Sequence, residues 1–241
     1  MSHYLLIHGA WHGAWCWDTL AKQLRAAGHE VSTFDLPGSG TDLTPPAQVT
    51  LQGWIDRTVL ALDQCSGPVV LVGHSMGGMV IAGAAGVRPD KIAALVYLCA
   101  FLPRVGESLF DLATRPEGAT TLAQQEQTPD GLCTIVPADN ARVTFYGHCT
   151  PQVTDAAIAQ LRPLPLSTVM AALPPPSVVP VVLPRFYVEC TEDCAIPIAL
   201  QRYMWGRDTG IQVRTLVSDH SPFASQPDTL AALLAEIQNQ L

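Results

Sequence analysis

Pro68-Val69-Val70-Leu71-Val72-Gly73-His74-Ser75-Met76-Gly77-Gly78 is the stretch that decides the fold. Its first half is apolar on consecutive positions. A strand reads that way when both its faces are covered, which means a parallel sheet flanked by helices. Its second half is a G-x-S-x-G motif that runs directly into a Gly- and Ala-rich segment with helical character, Met76–Val87. A serine at such a strand-to-helix turn takes strained torsions, and only small neighbours such as Gly73 and Gly77 let the chain double back. The turn lifts the Ser75 hydroxyl above the sheet, near the positive end of the helix that follows.

Outward from this turn, the same alternation recurs. Further strands are expected at Tyr4–His8, Val31–Phe34, Ile92–Leu98, Arg185–Glu189 and Gln212–Val217. Helices are expected at Trp15–Ala27, Leu51–Cys65, Pro197–Trp205 and Pro227–Gln240. Repeated strand–helix units imply right-handed crossovers and a three-layer α/β fold, a mostly parallel sheet of about six strands with helices on both faces. The alternation stops after Pro103 and resumes at Arg185. Residues 104–184 are proline-rich, include Pro174-Pro175-Pro176, and offer only short helices near Leu109–Thr114, Thr120–Gln127 and Thr154–Leu161. Their apolar content argues against disorder. Residues 1–103 and 185–241 therefore read as the core, and 104–184 as an inserted cap.

Composition narrows the function. The chain has 241 residues, 48% hydrophobic and only 14% charged, with a net charge of −8. That balance excludes a nucleic-acid partner, which needs a basic face for phosphates. No apolar run reaches the roughly 20 residues that span a bilayer, so no membrane role is expected. The N-terminus lacks the basic and apolar regions of a signal peptide. The seven cysteines are scattered with no CxxC pair, so no metal site is expected. They read as free thiols of a cytoplasmic protein; a Cys133–Cys149 bridge in a secreted form is the alternative.

A serine nucleophile needs a base, and after this type of turn the acid and then the histidine should follow in the chain. Only His148 and His220 lie beyond Ser75, and His148 falls in the cap. His220 follows the last strand and is the expected general base. The acid should end the preceding strand, which points to Asp193, with Glu192 and Glu107 as competitors. Asp219 adjoins His220 in sequence, which points the two side chains apart. His8, His12 and His74 are expected to fix loops by backbone hydrogen bonds. The loop His8-Gly9-Ala10-Trp11-His12-Gly13-Ala14-Trp15 should supply one oxyanion donor, the Ala10 N–H, and Met76 N–H the other.

These residues resemble the α/β-hydrolase superfamily, and within it the branch of plant methylesterases, hydroxynitrile lyases and bacterial carboxylesterases that includes pyrethroid-hydrolase-like enzymes. The resemblance rests on His8–Trp17, Asp35–Asp42, Val72–Met79, Cys99–Pro103, Thr191-Glu192-Asp193 with Ile196-Pro197, and Asp219–Pro222. It implies a cofactor-free carboxylesterase with a Ser75–His220–Asp193 triad. Lyases of the branch carry a threonine after the first loop histidine and a lysine after the catalytic one. Here those positions hold Gly9 and Ser221, which sides with the esterases. The expected substrate is a small to medium hydrophobic ester. Its pocket walls would come from Trp11, Phe101, Leu102, Phe110, Phe145, Tyr146, Met170 and Phe223, and a homodimer is allowed for. A lyase-like or other cofactor-free enzyme on the same fold, and a slow-turnover ligand-binding homologue, are the alternatives.

Overall fold

The computed structural model describes residues 2–179 and 181–241. Its centre is a wholly parallel six-stranded sheet. The strands are β1 (His3–Ile7), β2 (Glu30–Thr33), β3 (Val69–His74), β4 (Ile92–Leu98), β8 (Arg185–Cys190) and β9 (Ile211–Leu216), in the order β2-β1-β3-β4-β8-β9. β3 lies between β1 and β4, with Leu71 level with Leu5 on one side and Leu95 on the other. Every residue of β3 is buried, as its unbroken apolar run requires.

Alternate residues of each strand serve opposite faces. Leu5, Ile7, Val69 and Leu71 pack on one side with α2 (Leu51–Gln64), α3 (Gly77–Ala85) and α8 (Ile198–Gly206). Tyr4, Leu6, Val70 and Val72 pack on the other with α1 (Asp18–Ala26) and α10 (Pro227–Gln238). The first expected helix is in fact a 3₁₀ turn over Ala14–Trp17 followed by α1. Gly28, at φ +87°, ends it by taking a left-handed conformation that a side chain disfavours.

Residues 104–184 form α4 (Leu109–Ala113), β5 (Glu126–Gln127), β6 (Cys133–Ile135), α5 (Ala138–Phe145), α6 (Pro151–Ile158), β7 (Leu164–Pro165) and α7 (Leu166–Met170). The three short strands make a separate antiparallel sheet, β5-β6-β7. The expected helix over Thr120–Gln127 is absent. Turns run from Thr120 to Gln124 and Glu126-Gln127 is a strand, because the polar run offers no apolar stripe for a helix to bury. The excursion is not a self-contained body. Leu109, Leu112, Leu164 and Val169 join the same apolar cluster as β1 and β3. α9 (Pro222–Ser225) is a single turn after the histidine loop. All seven cysteines are free thiols. No helix among the described residues is long and apolar enough to cross a membrane.

Candidate active site

Ser75 stands between β3 and α3 at φ +54°, a conformation rare for a residue with a side chain. The surroundings hold it there. Its N–H donates to the Leu98 carbonyl, and its carbonyl accepts from Gly78 and Phe101 N–H groups, at 3.0–3.2 Å. The flanking glycines are steric necessities: a Cβ on Gly73 would lie 2.7 Å from the Gly77 oxygen, and one on Gly77 2.8 Å from the Ile7 oxygen.

The residues expected as acid and base lie just beyond the ends of β8 and β9. His220 Nδ1 donates to Asp193 Oδ2 at 2.7 Å, and both residues are buried. That bond fixes the tautomer and leaves the Nε2 lone pair free to accept a proton. Asp193 is itself anchored. Its Oδ1 accepts the Ala195 and Ile196 N–H groups at 2.7 and 2.8 Å, and its Oδ2 accepts from Gln201 at 3.3 Å. Ser75 and His220 line one cavity.

The two residues expected to carry the oxyanion donors border the same cavity. Ala10 and Met76 both line the cavity. Met76 is the residue before α3 begins, where backbone N–H groups lack helical partners. The loop carrying Ala10 is held by histidines and by Asp35. His8 Nδ1 donates to Gly9 O and its Nε2 accepts from Leu36 N–H. His12 Nδ1 donates to Ala10 O at 2.7 Å, and its Nε2 accepts from the Tyr146 hydroxyl. Asp35 accepts from Ala14 N–H and from Thr41 N–H and hydroxyl. Burial pushes His12 down to about 3, and it also lowers His8 and His74. Each ring makes a hydrogen bond to a backbone carbonyl, as their loop positions suggested.

The competing acids have other duties. Glu107 is ion-paired with Arg207, and Glu192 Oε2 is hydrogen-bonded to His148 Nε2 at 2.8 Å. Asp219 points away from His220 and accepts from His148 N–H and from the Ser225 hydroxyl. His74, Cys99 and His220 are spaced as metal ligands could be. One nitrogen of each ring is already engaged, His74 Nε2 donating to the His220 carbonyl and His220 Nδ1 to Asp193, and Cys99 Sγ donates to that same carbonyl at 3.5 Å.

Of the expected pocket walls, Trp11, Phe101 and Phe145 line the cavity. The other five do not. Leu102 is buried, with its N–H on the Met204 sulfur. Phe110 and Met170 are exposed, because on their short helices Leu109 and Val169 take the inward positions. Tyr146 turns away to His12. Phe223 packs behind the site, against Trp17 and His74. Leu122, Leu164, Val169 and Ile196 line the cavity instead. Gln201 also escaped the sequence reading. The available signal was a polar residue between Leu200 and Met204 on the inward face of α8.

A family model described as "Alpha/beta hydrolase family" matches residues 4–233. The chain belongs to that family, and by fold, site and relatives it is a hydrolase of the carboxylic-ester type. It is 33% identical over 260 residues to salicylic acid-binding protein 2 of Nicotiana tabacum, covering 99% of this chain and 98% of that one. It is 30% identical over 251 residues to methylesterase 7 of Arabidopsis thaliana, covering 98% and 96%. The chain spans 56% of the length of a longer chloroplastic relative from Arabidopsis thaliana, at 30% identity over 248 residues. Among solved structures, a pyrethroid hydrolase from Sphingobium faniae JZ-2 superposes with a TM-score of 0.88 at 26% identity, covering 99% of this chain and 97% of that one.

Proposed function

We propose that the chain hydrolyses small to medium hydrophobic carboxylic esters through Ser75, His220 and Asp193, by way of an acyl-enzyme. The observation that carries the reading is the buried His220–Asp193 hydrogen bond on the wall of the cavity that Ser75 enters. His220 Nε2 takes the Ser75 proton as Oγ attacks the ester carbonyl carbon. The carbonyl oxygen becomes an oxyanion in front of the Ala10 and Met76 N–H groups, where one preorganised donor is worth about 100- to 1000-fold in rate. Collapse expels the alcohol, which takes its proton from His220. The same ring then deprotonates a water that attacks the acyl carbon and frees Ser75. No step calls on a cofactor.

The lining supports the substrate class. The cavity carries no Lys, Arg, Asp or Glu, and its walls include Trp11, Phe101, Leu164 and Val169. Such a surface favours an apolar acyl or alcohol group by about 25 cal/mol per Å² buried. The lyase alternative is disfavoured by Gly9. A Cβ there would meet His74 Nδ1 at 2.8 Å and Ser75 Cβ at 2.9 Å, so a threonine needs the nucleophile turn to shift.

The test is a panel of p-nitrophenyl and methyl esters varied independently in acid and alcohol, with fluorophosphonate labelling of wild type and Ser75→Ala. Hydrolysis and labelling should both vanish in the variant. Labelling that persists in Ser75→Ala, or an ester panel untouched by the wild type, overturns the reading.

A further inference from the structure

On the α3 side of the sheet lies a second groove, and it shares no described residue with the cavity at Ser75. One wall is apolar, formed by Ala82, Leu95, Leu173 and Leu183. The opposite end is polar and continues into a smaller pocket, with Tyr97, Arg104 and Arg185 common to both. Tyr97 is 3% exposed. The comparable hydroxyl of Tyr187 donates to the Ala100 carbonyl at 2.7 Å. The Tyr97 hydroxyl has no protein partner among the described residues, although it lines both spaces. Burial raises its pKa far above the usual tyrosine value, so it stays a donor.

The charges at this end do not cancel. Arg207 pairs with Glu107, and Arg185 with Asp208. Arg104 meets no carboxylate through its guanidinium among the described residues; that group donates to the Arg207 carbonyl at 3.0 Å. The surplus is one cation, in a chain whose net charge is −8. A tyrosine hydroxyl with no protein partner and a guanidinium in surplus over the carboxylates, both lining the polar end of an apolar trough, offer a donor set for one carboxylate on a hydrocarbon tail.

We propose that this groove binds amphipathic monocarboxylates, with the carboxylate between Arg104 and the Tyr97 hydroxyl and the tail along Leu95, Leu173 and Leu183. The site stands independently of the ester-hydrolase reading, although such acids are also the product class that reading implies. The catalytic cavity has no cation to hold them, and this groove has one.

Isothermal titration of the wild-type protein with decanoate tests it. One saturable site is expected, with decanol and acetate each binding at least tenfold more weakly. Arg104→Gln should weaken decanoate at least about fivefold and Tyr97→Phe about threefold, as expected for charge-assisted and neutral hydrogen bonds. Val169→Ala, which alters only the catalytic cavity, should leave the affinity within twofold. Phenyl acetate turnover should be unchanged in the Arg104 and Tyr97 variants. Decanoate affinity that ignores both groove substitutions, or that falls with Val169→Ala, overturns the proposal. So does a stable dimer in sedimentation that Arg104→Gln disrupts while decanoate does not bind. A protein that binds decanoate yet hydrolyses no ester keeps this site and refutes the catalytic reading alone.

Discussion

Gln201 carries more of the catalytic geometry than its distance from Ser75 suggests. It is fully buried, and its amide makes four hydrogen bonds. Oε1 accepts from Cys190 N–H, while Nε2 donates to the Cys190 carbonyl, the Ile196 carbonyl and Asp193 Oδ2. It therefore ties the end of β8, the acid and the start of α8 into one unit. Gln201→Leu should cost about 2–4 kcal/mol in urea unfolding, because buried backbone groups lose their partners. Gln201→Glu keeps the shape but sets a second carboxylate against Asp193. Its kcat for a short ester should fall at least tenfold, with KM little changed. Wild-type kcat in Gln201→Glu would show that the acid is held by its two backbone bonds alone. Asp193→Asn should fold and lose orders of magnitude in kcat, since an amide favours the wrong histidine tautomer; a serine protease loses about 10⁴ in that way. Glu107→Gln and Glu192→Gln, whose side chains face Arg207 and His148, should stay within a few-fold of wild type in the same assay.

Among the elements, those that repeat a period were legible and those that answer only to tertiary contact were not. The consecutive apolar run of β3 announced a doubly covered strand, and Gly73–Gly77 announced the turn after it. The cap had no such signal. β5 and β7 have two residues each, too few to show a two-residue alternation. The same limit explains the pocket walls. On the five-residue helix α7 there is no stripe to read, so the sequence points to Met170 as a wall where the fold turns Val169 inward. Ser75, Asp193 and His220 could be nominated despite this limit, because strand ends and motif order point to them without knowledge of packing. The consequence for specificity is direct. Phe145→Ala and Val169→Ala should change the ratio of kcat/KM between a bulky and a small ester by about tenfold for at least one of them, on the order of 1–3 kcal/mol of lost contact. Phe110→Ala and Met170→Ala should leave that ratio unchanged. If the exposed pair moves selectivity as much as the lining pair, the lid closes over substrate in another arrangement. α3 offers a stability counterpart, for a Cβ on Gly78 would collide with the Phe101 carbonyl oxygen. Both partners are backbone. Gly78→Ala should therefore lose about 1–3 kcal/mol and also disturb the Phe101 N–H bond that steadies Ser75.

Across the whole molecule, the candidate active site is packed around buried histidines whose pKa values burial lowers, and this couples its integrity to acid. His8, His12 and His74 are each fully or almost fully buried, and His12 is held down to about 3 chiefly by burial. An unfolded chain would protonate these rings near their ordinary value of about 6.5. Below that pH the unfolded state binds protons the folded state refuses, so stability falls as pH drops from about 6.5 toward 3 and is unaffected above it. For His12 the separation can be worth up to a few kcal/mol, at about 1.4 kcal/mol per unit, and His8 and His74 act in the same direction. The carboxylates act lower down. Asp35, Glu107 and Glu189 are held below their ordinary values by hydrogen bonds and by arginine partners. Their stabilisation is complete above about pH 5 and disappears as pH falls through the folded values. Acid unfolding should therefore begin with the histidines, well before the carboxylates titrate. His12→Gln isolates one of them. At pH 7.5 it should be destabilised by about 1–2 kcal/mol, because its bonds to Ala10 O and the Tyr146 hydroxyl are imperfectly replaced. Between pH 6 and 4 its stability should decline less steeply than wild type, by as much as one proton's worth of slope. Urea unfolding at half-unit pH steps reads both quantities together. Parallel curves for wild type and variant across that window would mean that His12 charges without opposing the fold, and that another buried group sets the acid limit.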